Sequence, residues 1–305
     1  MRLRAGLVAA ALSACSTGAL DPQRVATDVY AFLGAAEEIK PSNRGNVINT
    51  GFIIGYDGVI VVDSGANDQH GQRILDAIAR TTSKPVLLLI NTHPHPENVL
   101  GNSAFARFGI PILAHSETIA AMRARCEMCF DHTLSLLNED IMRGTEIVIP
   151  GQSAEESQEI QVAGRRLKLI YFGWAHTEGD LAVLDVKSGV LFTGGLVSVG
   201  RTPVMQQART QGWISALESL QDQPIERVVP DVGPISHPIR IADTLRYLKS
   251  LLQTLERQYE EGKSAIDVLQ TSELPQFKDW ALYDSAHPLN VQHVYRELER
   301  EELEE

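Results

Sequence analysis

The chain predicts an α/β fold of the αββα type, two β-sheets packed face to face with helices on both outer sides, followed by a C-terminal helical extension. Three observations point to it. Short apolar runs of strand length, closed by Gly, Pro and Asp turns, come in two series, each followed by segments of helical period. Two loops carrying histidines each follow directly on such a run: Asn91-Thr92-His93-Pro94-His95-Pro96-Glu97-Asn98 after 86–90, and Gly173-Trp174-Ala175-His176-Thr177-Glu178-Gly179-Asp180 after 167–172. Beyond Pro238 the strands stop and an apolar stripe at helical spacing begins.

In chain order, Met1-Arg2-Leu3-Arg4, the apolar 5–12 and the small residues after them have the make-up of a targeting segment over residues 1–20. Leu12-Ser13-Ala14-Cys15 resembles a bacterial lipobox, which makes Cys15 the expected lipidation site and the outer membrane, seen from the periplasm, the expected location; ordinary secretion with cleavage nearer Ala19 is the alternative. Residues 21–44 are expected to be a lead, helix-prone over 25–36. Strands are expected at 46–54 and 59–62 around Gly55-Tyr56-Asp57-Gly58, whose Asp-Gly is a hairpin signal, then a helix at 69–80 and a strand at 86–90. A short helix (101–108), a strand (110–114) and a helix (116–125) follow. Runs at 147–149, 159–162, 167–172, 181–186 and 190–193 form the second β series, completed by a helix at 213–220 and a strand from 227.

In the C-terminal part, 237–305, Ile241, Leu245, Leu248, Leu252, Leu255 and Tyr259 lie on one helical face and Gly262 closes it. Two more helices are expected, at 277–283 and from 287. With 305 residues and 44% hydrophobic content the chain can bury a large core. The net charge of −12 argues against nucleic acid as a partner, and no later run reaches the ~18 apolar residues of a membrane span.

His93 and His95 lie one residue apart where Pro94 and Pro96 forbid a helix, so both imidazoles can address one point, and His176 offers a third ligand from the second loop. An isolated His-x-His in a loop is most often a pair of surface histidines; a second histidine loop at another strand end lowers that reading. His115, alone at a strand end, is expected to be structural. Cys126-Glu127-Met128-Cys129 lacks the following histidine of a haem attachment site. In an oxidising compartment a Cys126–Cys129 disulfide is expected, with free thiols or a metal or redox role beside His132 as the alternatives.

Five stretches in order, Val61-Val62-Asp63-Ser64-Gly65, His93 to Asn98, His176 to Asp180, Val190 to Gly195 and Val229-Pro230-Asp231-Val232-Gly233-Pro234, resemble the motifs of the metallo-β-lactamase superfamily over about 45–236. The resemblance implies the αββα fold, a zinc ion on His93, His95 and His176, and Glu97 in the place of the family's catalytic aspartate. It implies that Asp63, Asn98 and Asp180 support the ligands through hydrogen bonds. Where the family has a histidine, an aspartate or cysteine, and a further histidine for a second metal, this chain has Asn98, Gly195 and Val232, so one ion and no second site is expected. Asp231 and His237 flank the last of these positions and are expected to stay out of the site.

The tail and the Cys-x-x-Cys pair resemble the quinoprotein-relay zinc metallohydrolases, secreted members that accompany periplasmic quinoprotein dehydrogenases. The expected activity is hydrolysis of an ester, thioester or amide carbonyl in a small-molecule substrate, using zinc and its hydroxide. The alternative is a catalytically weakened relative that binds metal or ligand and serves such a dehydrogenase.

Overall fold

The computed structural model describes residues 19–304, so Cys15 and all but the last two residues of the expected targeting segment lie outside the described residues. The first sheet has seven strands in sequence order: β1 (Gln23–Ala26), β2 (Val29–Phe32), β3 (Thr50–Ile54), β4 (Val59–Val62), β5 (Val86–Ile90), β6 (Ile112–His115) and β7 (Gln152–Ala154). Pairing is antiparallel from β1 to β4 and parallel from β4 to β7. The second sheet has five strands, β8 (Gln158–Val162), β9 (Arg165–Tyr171), β10 (Leu181–Asp185), β11 (Val190–Phe192) and β12 (Arg227–Val229), antiparallel except for the parallel β11–β12 pair.

Helices α1 (Asp68–Thr81), α2 (Pro96–Val99), α3 (Asn102–Ala106), α4 (Ser116–Leu137) and α5 (Glu139–Met142) accompany the first series, and α6 (Thr210–Gln221) the second. The C-terminal part is α7 (Ile241–Glu260), α8 (Ala265–Thr271) and α9 (Tyr283–Glu304).

Strand alternation builds the layers. Val59 and Val61 face the outer helices, packing with Ile74 and Ile78 of α1 and Phe105 of α3. Ile60 and Val62 face the other way, into a core shared with Leu167, Leu169, Leu181 and Val183 of the second sheet. Ala182 and Leu184 turn outward again, under Trp213 of α6 and Tyr247, Leu248 and Leu251 of α7. Each central strand is therefore apolar on both faces, which is why the sequence reads as continuous apolar runs. The αββα sandwich predicted above is the fold observed.

Four expectations are corrected. The lead is not helical over 25–36: Val29-Tyr30-Ala31-Phe32 alternates and pairs with β3, Asp28 takes the left-handed turn position (φ 64°), and β1 and β2 extend the first sheet into that segment. Residues 147–149 form no strand, and the edge strand β7 starts only after Pro150, whose missing N–H removes a ladder donor. The helix from Ser116 does not end at 125 but runs on to Leu137, so Cys126 and Cys129 lie inside α4, and both are free thiols in this structure. The segment 277–283 is a 3-10 turn at Pro275–Phe277 followed by the start of α9, while α8, capped by a Ser264/Asp267 box, was not anticipated. No helix of the described residues is long and apolar enough to cross a membrane.

Candidate metal centre

The site forms where β5 and β9–β10 deliver their loops to one end of the sandwich. Beneath it, Asn91 and Asn102 exchange side-chain amide hydrogen bonds (2.8 and 3.0 Å), and the single proton of the Ser64 hydroxyl is shared between Asn102 Oδ1 (2.8 Å) and the Asn98 carbonyl (3.0 Å). This buried clamp fixes the loop after β5.

Asp63, which directly follows β4 in a left-handed conformation (φ 60°), is 1% exposed. Its carboxylate accepts from Thr92 N–H (2.8 Å), Thr92 Oγ1–H (2.8 Å) and Asn98 Nδ2 (3.0 Å). Burial raises its pKa to about 7 even though those donors pull it down. Having donated to Asp63, the Thr92 hydroxyl must accept from His93 Nδ1, 2.9 Å away, which leaves Nε2 as the free lone pair of that ring. His93 Nε2 is buried with no hydrogen-bond partner.

The other rings are fixed by the same logic. Asp180 accepts from Thr177 N–H (2.6 Å), Thr177 Oγ1–H (2.8 Å) and His176 Nδ1 (3.3 Å), so His176 also keeps Nε2 free. Gln207 Oε1, an acceptor, lies 3.1 Å from His95 Nε2 and leaves Nδ1 free on that ring.

The rings meet edge to face, with centroids 4.7–4.9 Å apart and interplanar angles of 68–79°, and the nitrogens they offer lie within 4.8 Å of one another. Burial, and then the neighbouring imidazoles, lowers the pKa of His93 well below the ordinary histidine value and also lowers that of His95. Burial would lower His176 as well, but its hydrogen bond to Asp180 and that carboxylate's charge raise it instead. Convergent free nitrogens, one of them orphaned in a dry environment, fit a metal ion, because neutral imidazole is the ligating form.

Glu97 is half-buried in the first turn of α2, and its charge is felt at His95, His176 and Asp231. The Asn98 amide is committed through Nδ2 to Asp63, while its Oδ1 is buried without a partner. Gly195 has a packing reason to be glycine: a Cβ there would stand 2.0 Å from His176 Nδ1. Val232 turns into an apolar cluster with Val47 and Ile48. His237 caps a 3-10 turn by accepting from Ile239 N–H.

Two site residues escaped the sequence reading. Gln207 comes from an irregular segment far along the chain with no motif around it. Asp231 comes within 3.5 Å of Asn98 Nδ2 and feels the charges of His176 and Glu97, against the expectation that it stays out of the site; burial raises its pKa to about 6, partly offset by His176. His115 is structural, accepting from Glu117 N–H at the head of α4 (3.2 Å) and stacking on Tyr171 (3.7 Å). Cys126 and Cys129 line a small void with His95, Pro94, Met122 and Gln207. Burial raises both thiol pKa values, that of Cys126 to about 11. The helix carrying them is tied to the second histidine loop by a bidentate Arg125–Glu178 pair (2.7 and 2.9 Å).

Three ring-locked histidines at the loop end of an αββα sandwich, with a carboxylate alongside, form a cluster that could hold a metal ion. A match to the metallo-beta-lactamase superfamily spans residues 43–232, well over half the chain, and the chain belongs to that superfamily. Among solved structures it is similar to a metallo-beta-lactamase from Pontibacter korlensis, with a TM-score of 0.62 and 19% identity over 75% of this chain and 99% of that one. It is also similar to DIM-1 metallo-beta-lactamase, in one structure exposed to ceftazidime (TM-score 0.61, 16% identity, 76% of this chain and 97% of that one) and in another (TM-score 0.59, 16%, 76% and 98%). At these identities the likeness speaks for the fold alone. None of the curated proteins compared with it matches the chain.

Proposed function

We propose that this protein is a mononuclear zinc hydrolase that adds water to an ester, thioester or amide carbonyl. The convergence of His93, His95 and His176, their offered nitrogens within 4.8 Å of one another and each ring's opposite nitrogen held by Thr92, Gln207 or Asp180, carries the reading. A zinc ion on those three residues supplies Lewis acidity and brings the pKa of a bound water from its bulk value toward about 7.

The chain's own groups do the rest. Asp63, through Thr92, and Asp180 hold the ring tautomers. Glu97 takes the proton from the attacking water and returns it to the leaving group. Trp213, its ring centroid 5.0 Å from that of His176, closes one side against solvent. The single-ion stoichiometry is supported by Gly195 and Val232, which offer no donor.

Purified protein is expected to hold one equivalent of zinc and to turn over members of a panel of esters, thioesters and amides. His95→Ala should lose both properties. Glu97→Gln should keep the metal and lose turnover by roughly 10²–10⁴-fold. Absence of bound metal in native material would end the reading, and a second equivalent would end its mononuclear form.

The alternative, a weakened relative that binds metal or ligand, has the donor-poor second position in its favour; stable zinc without turnover across the panel selects it. We further propose a periplasmic location with a lipid anchor at Cys15 and service to a quinoprotein dehydrogenase, on the strength of the targeting segment and the subgroup resemblance. Fractionation of cells producing the wild type and Cys15→Ser tests the anchor.

A further inference from the structure

Between the second histidine loop and the C-terminal helix lies a cavity of about 300 Å³, at the lower end of the range for small-molecule sites. Its inner wall is Trp174, two residues before the ligand His176, and Gln207, whose side chain holds His95; the indole Nε1 donates to the Gln207 carbonyl at 2.7 Å. Arg209 lies over the Trp174 ring, its guanidinium carbon 4.8 Å from the centroid. The outer wall is α9, which contributes His293, Arg296 and Arg300.

Charge makes this wall unusual in a chain of net charge −12. Among the described residues, Arg209, Arg296 and Arg300 form no salt bridge. Arg296 and Arg300 are one helical turn apart, where like charges repel and weaken the helix. Neither carboxylate of the same cavity pairs with them. Glu297 is spent on the Thr210 N–H (3.2 Å) and hydroxyl, with His293 Nε2 at 3.6 Å, and Glu301 is exposed. A flat indole beside three guanidinium forks is suited to a planar organic acid, because arginine pairs bidentately with carboxylates and the ring packs the apolar part.

We propose that this cavity binds the carboxylate end of the substrate, so that the reaction acts on carbonyl compounds carrying a second, anionic group, with α9 setting specificity. The substrate assignment rests on the hydrolase reading above; the carboxylate site does not.

Binding is tested on metal-free full-length protein by quenching of tryptophan fluorescence with phenylacetate, acetate and the neutral isostere phenylacetamide, at low and high salt. Phenylacetate should bind more tightly than either comparison, more weakly as salt rises, and without the signal in Trp174→Phe. Arg296→Gln/Arg300→Gln, exposed helix positions whose folding is checked by circular dichroism, should bind roughly tenfold more weakly. On zinc-loaded protein the same double variant should raise KM for a carboxylate-bearing ester and leave kcat and the neutral ester unchanged.

Equal binding of phenylacetamide, no saturable binding of either acid, or wild-type affinity in the double variant overturns the site. Carboxylate binding with no turnover of any ester leaves the site standing and removes the hydrolase reading instead.

Discussion

Asp63 and Asp180 perform the same task for different histidines. Each spends its remaining lone pairs on threonine and backbone donors, so that a ring proton is fixed on one nitrogen and the other is released toward the centre. Gly195 sets the limit on what that centre can accept. An aspartate there needs a Cβ 2.0 Å from His176 Nδ1 and 2.3 Å from Cε1, so the ring must move. Gly195→Asp is expected to retain less metal than the wild type and to lose about 1–3 kcal/mol of stability by overpacking. Elemental analysis and urea denaturation check this, and a second bound equivalent with His176 undisturbed would refute it. His70 gives a pH signature away from the site. Fully buried, with Nε2 unpartnered, its pKa is lowered to about 3 by burial and then by the charge of Arg73. The unfolded chain takes up this proton near 6.5 and the folded chain does not. Its contribution is therefore intact above about pH 6.5 and is lost as pH falls toward 3, by about 1.4 kcal/mol per unit. His70→Gln should flatten the stability slope between those limits, whatever its effect on stability at neutral pH; an unchanged slope would refute the assignment.

At the scale of elements, α7 and α9 are joined by a buried polar knot as well as by apolar packing. The Tyr247 hydroxyl meets His287 Nδ1 (2.9 Å) and accepts from Asn290 Nδ2 (2.9 Å), which also reaches the Pro203 carbonyl (2.8 Å). Tyr247→Phe keeps the ring stacking and strands those groups, so it should destabilise the protein by about 1–3 kcal/mol in denaturant titration. A neutral result would mean that water replaces the hydroxyl. These elements also show what the sequence could reveal. The central strands and the α7 stripe were legible because a periodic apolar pattern reports burial directly. The hairpin β1–β2 was misread because four-residue strands at a sheet edge gain their identity from pairing with β3, which a local window does not contain. The three histidines were legible through their loops. Gln207 and Asp231 were not, because only tertiary placement brings an ordinary polar residue against a ring, and Val232 looked like a vacant ligand position when its side chain belongs to a core.

For the whole molecule, the question is whether the part beyond Pro238 is an appendage or a layer. Ile241, Leu248, Leu251 and Leu255 are all 0% exposed and share one core with Ala182, Leu184 and Leu191 of the second sheet. At about 1.5–3 kcal/mol for each fully buried aliphatic side chain, these four alone contribute on the order of 10 kcal/mol, as much as the ~5–15 kcal/mol net stability of a typical domain. Without α7 the outer face of the second sheet would meet water, and the strands that deliver His176 would lose their backing. A chain ended at His237 is therefore expected to aggregate or to lack a cooperative unfolding transition, and to retain no zinc. One ended at Gly262, which keeps α7 and removes α8 and α9, should keep more structure but bind metal more weakly than the full chain, since α9 packs on the segment that carries Gln207 through the His293 contact to the Ala208 carbonyl (3.0 Å). Circular dichroism, calorimetry and zinc analysis across the two truncations order these dependencies. Cooperative folding with full zinc content in the shorter chain would show that the C-terminal helices are dispensable to the sandwich.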